Sequence, residues 1–162
     1  MHAGATTIRG ASSERVGQAV SVIVRREAPG DVAAARAVQV AAFRRPDSDA
    51  EPVEARLLDS LRDCDAWLPE LTIVAAVGGS VVGHVVTTRG FVGDVPVLGL
   101  GPIGVLPSHQ RQGVGLALMH ATVGAADALG EALIALLGSP DYYARFGFVP
   151  SAMLDVEPPE SS

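Results

Sequence analysis

The chain has 162 residues, enough for one domain that buries a core of its own without disulfides. With 12 basic against 18 acidic residues and a net charge of −6, it lacks the surplus of cations that a nucleic-acid surface needs; the balance is compatible with cationic amine substrates and is also ordinary for a soluble protein. A single cysteine, Cys64, excludes an internal disulfide or a CxxC metal site, and no apolar run approaches the ~20 residues that span a bilayer.

Met1 to Gln18, rich in Ala, Gly, Ser and Thr, lacks the apolar core of a secretory signal and reads as a loose arm. A domain over 19–150 and a short acidic, proline-rich tail over 151–162 are expected after it, with a cytoplasmic location. The β-branched run Ala19 to Arg25 predicts a first strand that ends at Glu27-Ala28-Pro29-Gly30. Asp31 then stands as helix cap or first-turn carboxylate before an alanine-rich helix, Val32 to Phe43, which Pro46 closes. A second helix is predicted over Glu51 to Cys64, with Val53, Leu57, Leu58 and Leu61 on one face. Leu71 to Val77, the turn Gly78-Gly79-Ser80 and Val81 to Thr88 have the chemistry of a β-hairpin. Arg89 to Asp94 is expected to turn the chain antiparallel into a central strand at Val95.

That strand, through Val105, is interrupted by glycine and proline and runs into Leu106-Pro107-Ser108-His109-Gln110-Arg111-Gln112-Gly113-Val114-Gly115. From Val114, apolar residues at Ala117, Leu118, Ala121, Ala125 and Leu129 keep helical spacing. After Gly130, the run Ala132 to Leu137 reads as a buried parallel strand. Strand, helix and strand form a crossover unit whose first turn is the place to look for a ligand. The amides opening the helix lack intrahelical acceptors, the helix dipole is positive there, and Arg111 adds charge, so a phosphate fits.

No glycine loop carries the lysine of a nucleotide-triphosphate motif. Gly99-Leu100-Gly101-Pro102-Ile103-Gly104 is a literal G-x-G-x-x-G, but more strand comes after it where a dinucleotide fold requires a helix, so these glycines read as a kink or bulge. The remaining motif is Q-x-x-G-x-G, formed by Gln110, Gly113 and Gly115 after a strand. With Ile103 to Val105 and Pro107 it resembles the acetyl-CoA pyrophosphate loop of the GNAT N-acetyltransferase superfamily. Tyr143-Ala144-Arg145-Phe146-Gly147-Phe148 resembles that superfamily's later Tyr-x-x-x-Gly-Phe signature. Leu137 to Tyr143 with Arg145 to Phe148 is similar in wording to a bacterial subgroup of predicted N-acetyltransferases.

The resemblance covers roughly residues 20 to 150. It implies a mixed α/β fold of α+β character, with a central, mostly antiparallel sheet flanked by helices. It implies direct transfer of an acetyl group from acetyl-CoA to a primary amine of a small molecule or protein. Such transfer needs an oriented donor, a polarised carbonyl, a proton acceptor and a proton for the departing thiolate. By resemblance, the backbone of Ile103, Gly104 and Val105 holds the pantetheine and thioester. The amides of Arg111, Gln112, Gly113, Val114 and Gly115 hold the diphosphate, with Gln110 bordering the loop and Ser139 among the cofactor contacts. The first helix and its following loop help shape the acceptor pocket.

Tyr143 is the candidate acid, at the signature position, with Tyr142 beside it as the alternative and core packing as the plain reading of both. His84 is the candidate base, on a strand flanking the cleft, although a lone strand histidine is more often a packing residue. Glu70, Asp94 and His109 are weaker candidates, and relay through water is a further route. Cys64 reads as a helix residue rather than a nucleophile. His2, His84, His109 and His120 are scattered without ligand spacing, so no metal is expected.

The pattern is departed from at two places. Gly138-Ser139-Pro140 occupies the position of the superfamily's usual Asn. After Phe148-Val149-Pro150, where a further strand normally completes the sheet, Glu157-Pro158-Pro159-Glu160 cannot form one. Three readings stay open: a partner subunit, as in a homodimer, supplies the strand; the acceptor site is open; or the chain binds acyl-CoA without turning it over.

Overall fold

The computed structural model describes residues 21–157; the expected arm over 1–18, the start of the first expected strand and the end of the tail lie outside the described residues. In chain order the elements are β1 (Val22–Arg26), α1 (Val32–Phe43), α2 (Val53–Arg62), β2 (Ile73–Val77), β3 (Ser80–Val92), β4 (Val95–Val105), α3 (Val114–Ala128), β5 (Ile134–Leu136) and α4 (Pro140–Tyr143). They build one sheet in the order β1-β2-β3-β4-β5. Every neighbouring pair is antiparallel except β4 with β5, which the α3 crossover makes parallel. The mixed α/β architecture, with its mostly antiparallel sheet, is the one expected.

The hairpins are set by their turns. Gly78 and Gly79 both have positive φ, +57° and +83°, the mirror-image turn that matches the twist of flanking strands, and Val77 pairs directly with Ser80. The second turn is tighter than expected: Arg89 to Val92 stay in β3, and only Gly93 and Asp94 separate the paired residues Val92 and Val95. Arg89 is tied there by its bidentate pairing with Glu131 at 2.6 and 2.7 Å. Asp31 does not cap α1. Its carboxylate turns back to the Ala28 N–H at 2.8 Å and to Arg25, fixing the turn that delivers the chain into the helix.

The helices cover both faces of the sheet, and two glycines show how closely. A Cβ on Gly83 would meet Val114 and Leu118 of α3 at 2.8 and 2.9 Å; one on Gly104 would meet Gln39 and Ala42 of α1 at 2.7 and 3.0 Å. The main core lies between the sheet and α3, around Val82, Val85, Val114, Leu118 and Met119. Beneath α1 and α2, Val38 and Leu58 are also fully buried.

The carboxyl-terminal part departs from expectation in one respect. The strand after α3 is parallel, as its sequence predicts, but it has three residues, and Ala135 is exposed with Ile134 and Leu136 half-buried. Among the described residues nothing pairs with its outer edge, so the apolar run Ala132 to Leu137 ends at the surface, with Leu137 80% exposed. Ser151–Leu154 forms a short helical turn, and no strand comes after it among the described residues. No described helix is long and apolar enough to cross a membrane.

Candidate acyl-donor site

The site begins with a mismatch in the ladder between β3 and β4. Thr87 pairs with Leu100 and Val85 with Ile103, so Gly101 and Pro102 together oppose Val86 alone. One extra residue in β4 is a β-bulge, which bends the strand and re-aims the residues beyond it. The literal G-x-G-x-x-G is therefore a bent strand, as its context predicts. β5 accompanies β4 only from Leu98 to Leu100. Beyond the bulge, Ile103, Gly104 and Val105 pair with β3 on one side and, among the described residues, with no strand on the other. A short row of backbone donors and acceptors thus faces a cleft of about 600 Å³.

The loop from β4 to α3 forms one end of this cleft. Gln110 donates from Nε2 to the Val105 carbonyl at 3.0 Å, which folds the loop back onto the strand it has just left. Arg111 and Gly113 both adopt left-handed backbone, with φ of 60° and 83°. Gly113 is the residue from which α3 starts, and no side chain caps that start. The first amides of a helix of 15 residues therefore lack a side-chain acceptor, and with the positive end of the helix dipole they suit an anion.

The opposite wall comes from α4. Tyr142 and Tyr143 meet edge to face, centroids 4.9 Å apart, and Tyr143 packs against Phe148 and Phe146. Gly138 is the residue that makes room: a Cβ there would overlap the Tyr143 ring. Burial, with a smaller contribution from Tyr142, pushes the Tyr143 phenol above its ordinary pKa, so it is protonated at neutral pH. Arg145 lies over the Tyr142 ring at 4.5 Å and donates to the Tyr142 carbonyl at 2.9 Å, which holds its charge at the cleft.

Of the residues singled out by sequence, the structure gathers Ile103, Gly104, Val105, Gln110, Arg111, Gly113, Gly115 and Tyr143 around this cleft. Tyr142 apart, the other residues singled out place no side chain in the cleft lining. Gln112 turns back to the Ser108 carbonyl at 3.1 Å. Val114 points its side chain into the core at 2% exposure, and Ser139 is an exposed residue at the start of α4. His84 is fully buried and stands behind the cleft wall, not in it, because its strand is covered by α1. His109 is engaged by Ser108 at 2.8 Å. Tyr142, the alternative acid, also lines the cleft, as do Ala42 and Phe43 at the end of the first helix, which the resemblance places near the acceptor pocket without naming them, and Leu116, Met119 and Arg145, which the sequence alone does not assign to it. Arg145 lies inside a recognisable signature; the others carry apolar side chains whose signal is the same as that of core. No group of three or more metal-ligating side chains occurs among the described residues.

Residues 33–148 match the family model for the acetyltransferase (GNAT) family. The chain belongs to that family. Among GNAT relatives, it is 36% identical to the uncharacterized N-acetyltransferase YjhQ of Escherichia coli over 61% of this chain and 57% of that protein. The chain thus spans little more than half the length of that relative. It is 30% identical to the uncharacterized N-acetyltransferase YhbS of the same species over 83% of this chain and 78% of YhbS. A crystal structure of YhbS in complex with CoA matches with a TM-score of 0.75 at 28% identity, covering 88% of this chain and 76% of that one. A GNAT acetyltransferase from Brucella melitensis in complex with acetyl-CoA matches with a TM-score of 0.73 at 34% identity, over 81% of this chain and 84% of the other.

Proposed function

We propose that this chain is an N-acetyltransferase that uses acetyl-CoA as donor and transfers the acetyl group directly to a primary amine of a small molecule or a protein. The observation that carries this reading is the free edge of β4 at Ile103 to Val105, opening directly onto an uncapped helix start. A CoA thioester has the same two parts in series, an amide-bearing pantetheine arm and a diphosphate. The amides of Arg111 to Gly115 take the diphosphate, with Arg111 and Arg145 supplying charge. Backbone groups of Ile103 to Val105 pair with pantetheine and polarise the thioester carbonyl.

In the reaction the amine nitrogen bonds to the carbonyl carbon, the C–S bond breaks, the thiolate takes the proton of the Tyr143 hydroxyl, and the proton shed by the acylated nitrogen passes through water to restore the phenol. The acceptor ammonium first loses a proton. Among the described residues, the cleft lining holds no carboxylate or imidazole, so the reading assigns this step to water rather than to the buried His84. That same lack favours a second reading, an acyl-CoA-binding domain without turnover. Calorimetric titration with acetyl-CoA and CoA, then thiol release against a panel of amines, separates the two. Micromolar binding with amine-dependent thiol release supports the enzyme, binding alone supports the second reading, and absence of binding removes both.

A further inference from the structure

Behind the cleft wall, on the α1 face of the sheet, four polar side chains from separate parts of the chain meet: Gln39, His84, Glu27 and Arg62. Gln39 and His84 are both fully buried. The Gln39 Nε2 atom lies 3.0 Å from His84 Nδ1, 3.1 Å from the His84 carbonyl and 3.5 Å from the Pro102 carbonyl. Two of these three neighbours are carbonyl oxygens, so the amide turns its two N–H donors this way, since the reversed amide would aim its oxygen at both carbonyls. Opposite that donor, His84 Nδ1 accepts, and the ring's other nitrogen, Nε2, lies 3.5 Å from Glu27 Oε1 without a hydrogen-bond partner. Arg62 grips the same carboxylate at 2.5 and 2.8 Å.

This chain of groups is not a route for protons into the cleft, because an amide N–H stands between the imidazole and β4. It is a support. The Pro102 carbonyl belongs to the bulge of β4, and the His84 carbonyl belongs to β3, opposite Gly104. Gln39 thus reaches both strands where the ladder between them is broken. Its Oε1 has no partner and lies 2.7 Å from where a Cβ on Gly104 would stand, so the side chain also backs the residue just past the bulge. An apolar side chain of similar volume would fill the space without stranding an oxygen; only the amide supplies a donor shared across the bulge.

We propose that Gln39 is a positioning residue for acyl transfer, setting through the His84 and Pro102 carbonyls where the Gly104 backbone meets the thioester, with His84, Glu27 and Arg62 holding its amide in place. This rests on the reading that the free edge of β4 receives acetyl-CoA. The test uses the full chain with three readouts: CoA affinity by calorimetry, thiol release from acetyl-CoA with water and with an amine panel, and thermal unfolding. Gln39→Met keeps the volume and removes the donor. It is expected to bind CoA within about 2-fold of wild type, since the diphosphate loop is untouched, while kcat falls by about 10- to 100-fold. Gln39→Asn, too short to reach both carbonyls, is expected to show the same split and serves if the Met variant does not fold. His84→Asn, which keeps an acceptor near the Nδ1 position, is expected to fall between wild type and Gln39→Met.

Equal kcat in wild type and both Gln39 variants overturns the inference and leaves the proposed function standing. So does a loss confined to CoA affinity, or a loss that is larger in His84→Asn than in Gln39→Met. A wild-type chain that binds no acetyl-CoA, or binds it without thiol release, removes the premise before any variant is made.

Discussion

The two edges of β4 are made from the same residues and do opposite things. Toward β3 the strand is paired from Val95 to Val105 with a single bulge, and the faces around it are sealed by α1 and α3. Toward β5 it is paired at Leu98 to Leu100 and then, among the described residues, bare. The closed edge fixes the strand, so the open edge can present its backbone without collapsing onto a neighbour. The cleft side is distinguished, among the described residues, by a missing strand pairing, a feature of topology that no single side chain records.

The closed side is where substitutions should cost stability. Glu27, 7% exposed in its side chain, is the carboxylate that Arg62 and His84 share. Glu27→Ala leaves Arg62 and His84 without that partner and is expected to lower unfolding free energy by about 3–5 kcal/mol in denaturant melts; a change under about 1 kcal/mol would erase the contrast between the edges. The same carboxylate limits acid stability. Burial opposes its ionisation, but the neighbouring His84 ring and the two hydrogen bonds from Arg62 outweigh that and hold it at about 2. Asp31 is held at about 2 by Arg25 and the Ala28 N–H. Both values lie below those of the unfolded chain, so their contribution is complete above about pH 4.5 and is lost as pH falls toward 2. Melts between pH 7 and pH 3 are expected to show a falling midpoint only below about 4.5.

On the open side the effects should fall on function. Tyr143→Phe is expected to lower turnover by about 100-fold, with CoA affinity and thermal midpoint near wild type. Retained turnover would move the acid elsewhere in the cleft. Gly113→Ala forces a Cβ onto left-handed backbone at φ 83°, at a cost of about 1–2 kcal/mol, and should weaken CoA binding by up to about 10-fold in calorimetry. The smallest effect is expected at the outer edge of the sheet: Leu137→Ser, 80% exposed, should shift unfolding free energy by less than about 0.5 kcal/mol.

Most of the framework is legible in the sequence. The helix predicted from Val32 to Phe43 coincides with α1, and the first hairpin comes from Gly78 and Gly79, because periodicity and turn chemistry are local signals. The burial of β5 is not legible: Ala132 to Leu137 has the composition of an inner strand, and whether a neighbour covers it depends on elements far away in sequence. The cleft-facing glycines and Tyr143 stand out as motif residues. Gln39 does not: a glutamine in an alanine-rich helix carries no sign that it will be a fully buried amide behind the site. His84 is conspicuous for its chemistry, but its surroundings come from Glu27 just after β1, Gln39 of α1 and Arg62 of α2, 22 to 57 positions away.

Every Lys/Arg position in this protein is occupied by arginine, for the sequence has no lysine. Guanidinium stays protonated in water and is a poor nucleophile, whereas a lysine amine beside a thioester is a ready acceptor. Arg111 and Arg145 can therefore flank a reactive acyl donor without being consumed by it. With no lysine amine to acylate, mapping by mass spectrometry after prolonged exposure to acetyl-CoA should find no N-acetyl-lysine anywhere in this protein.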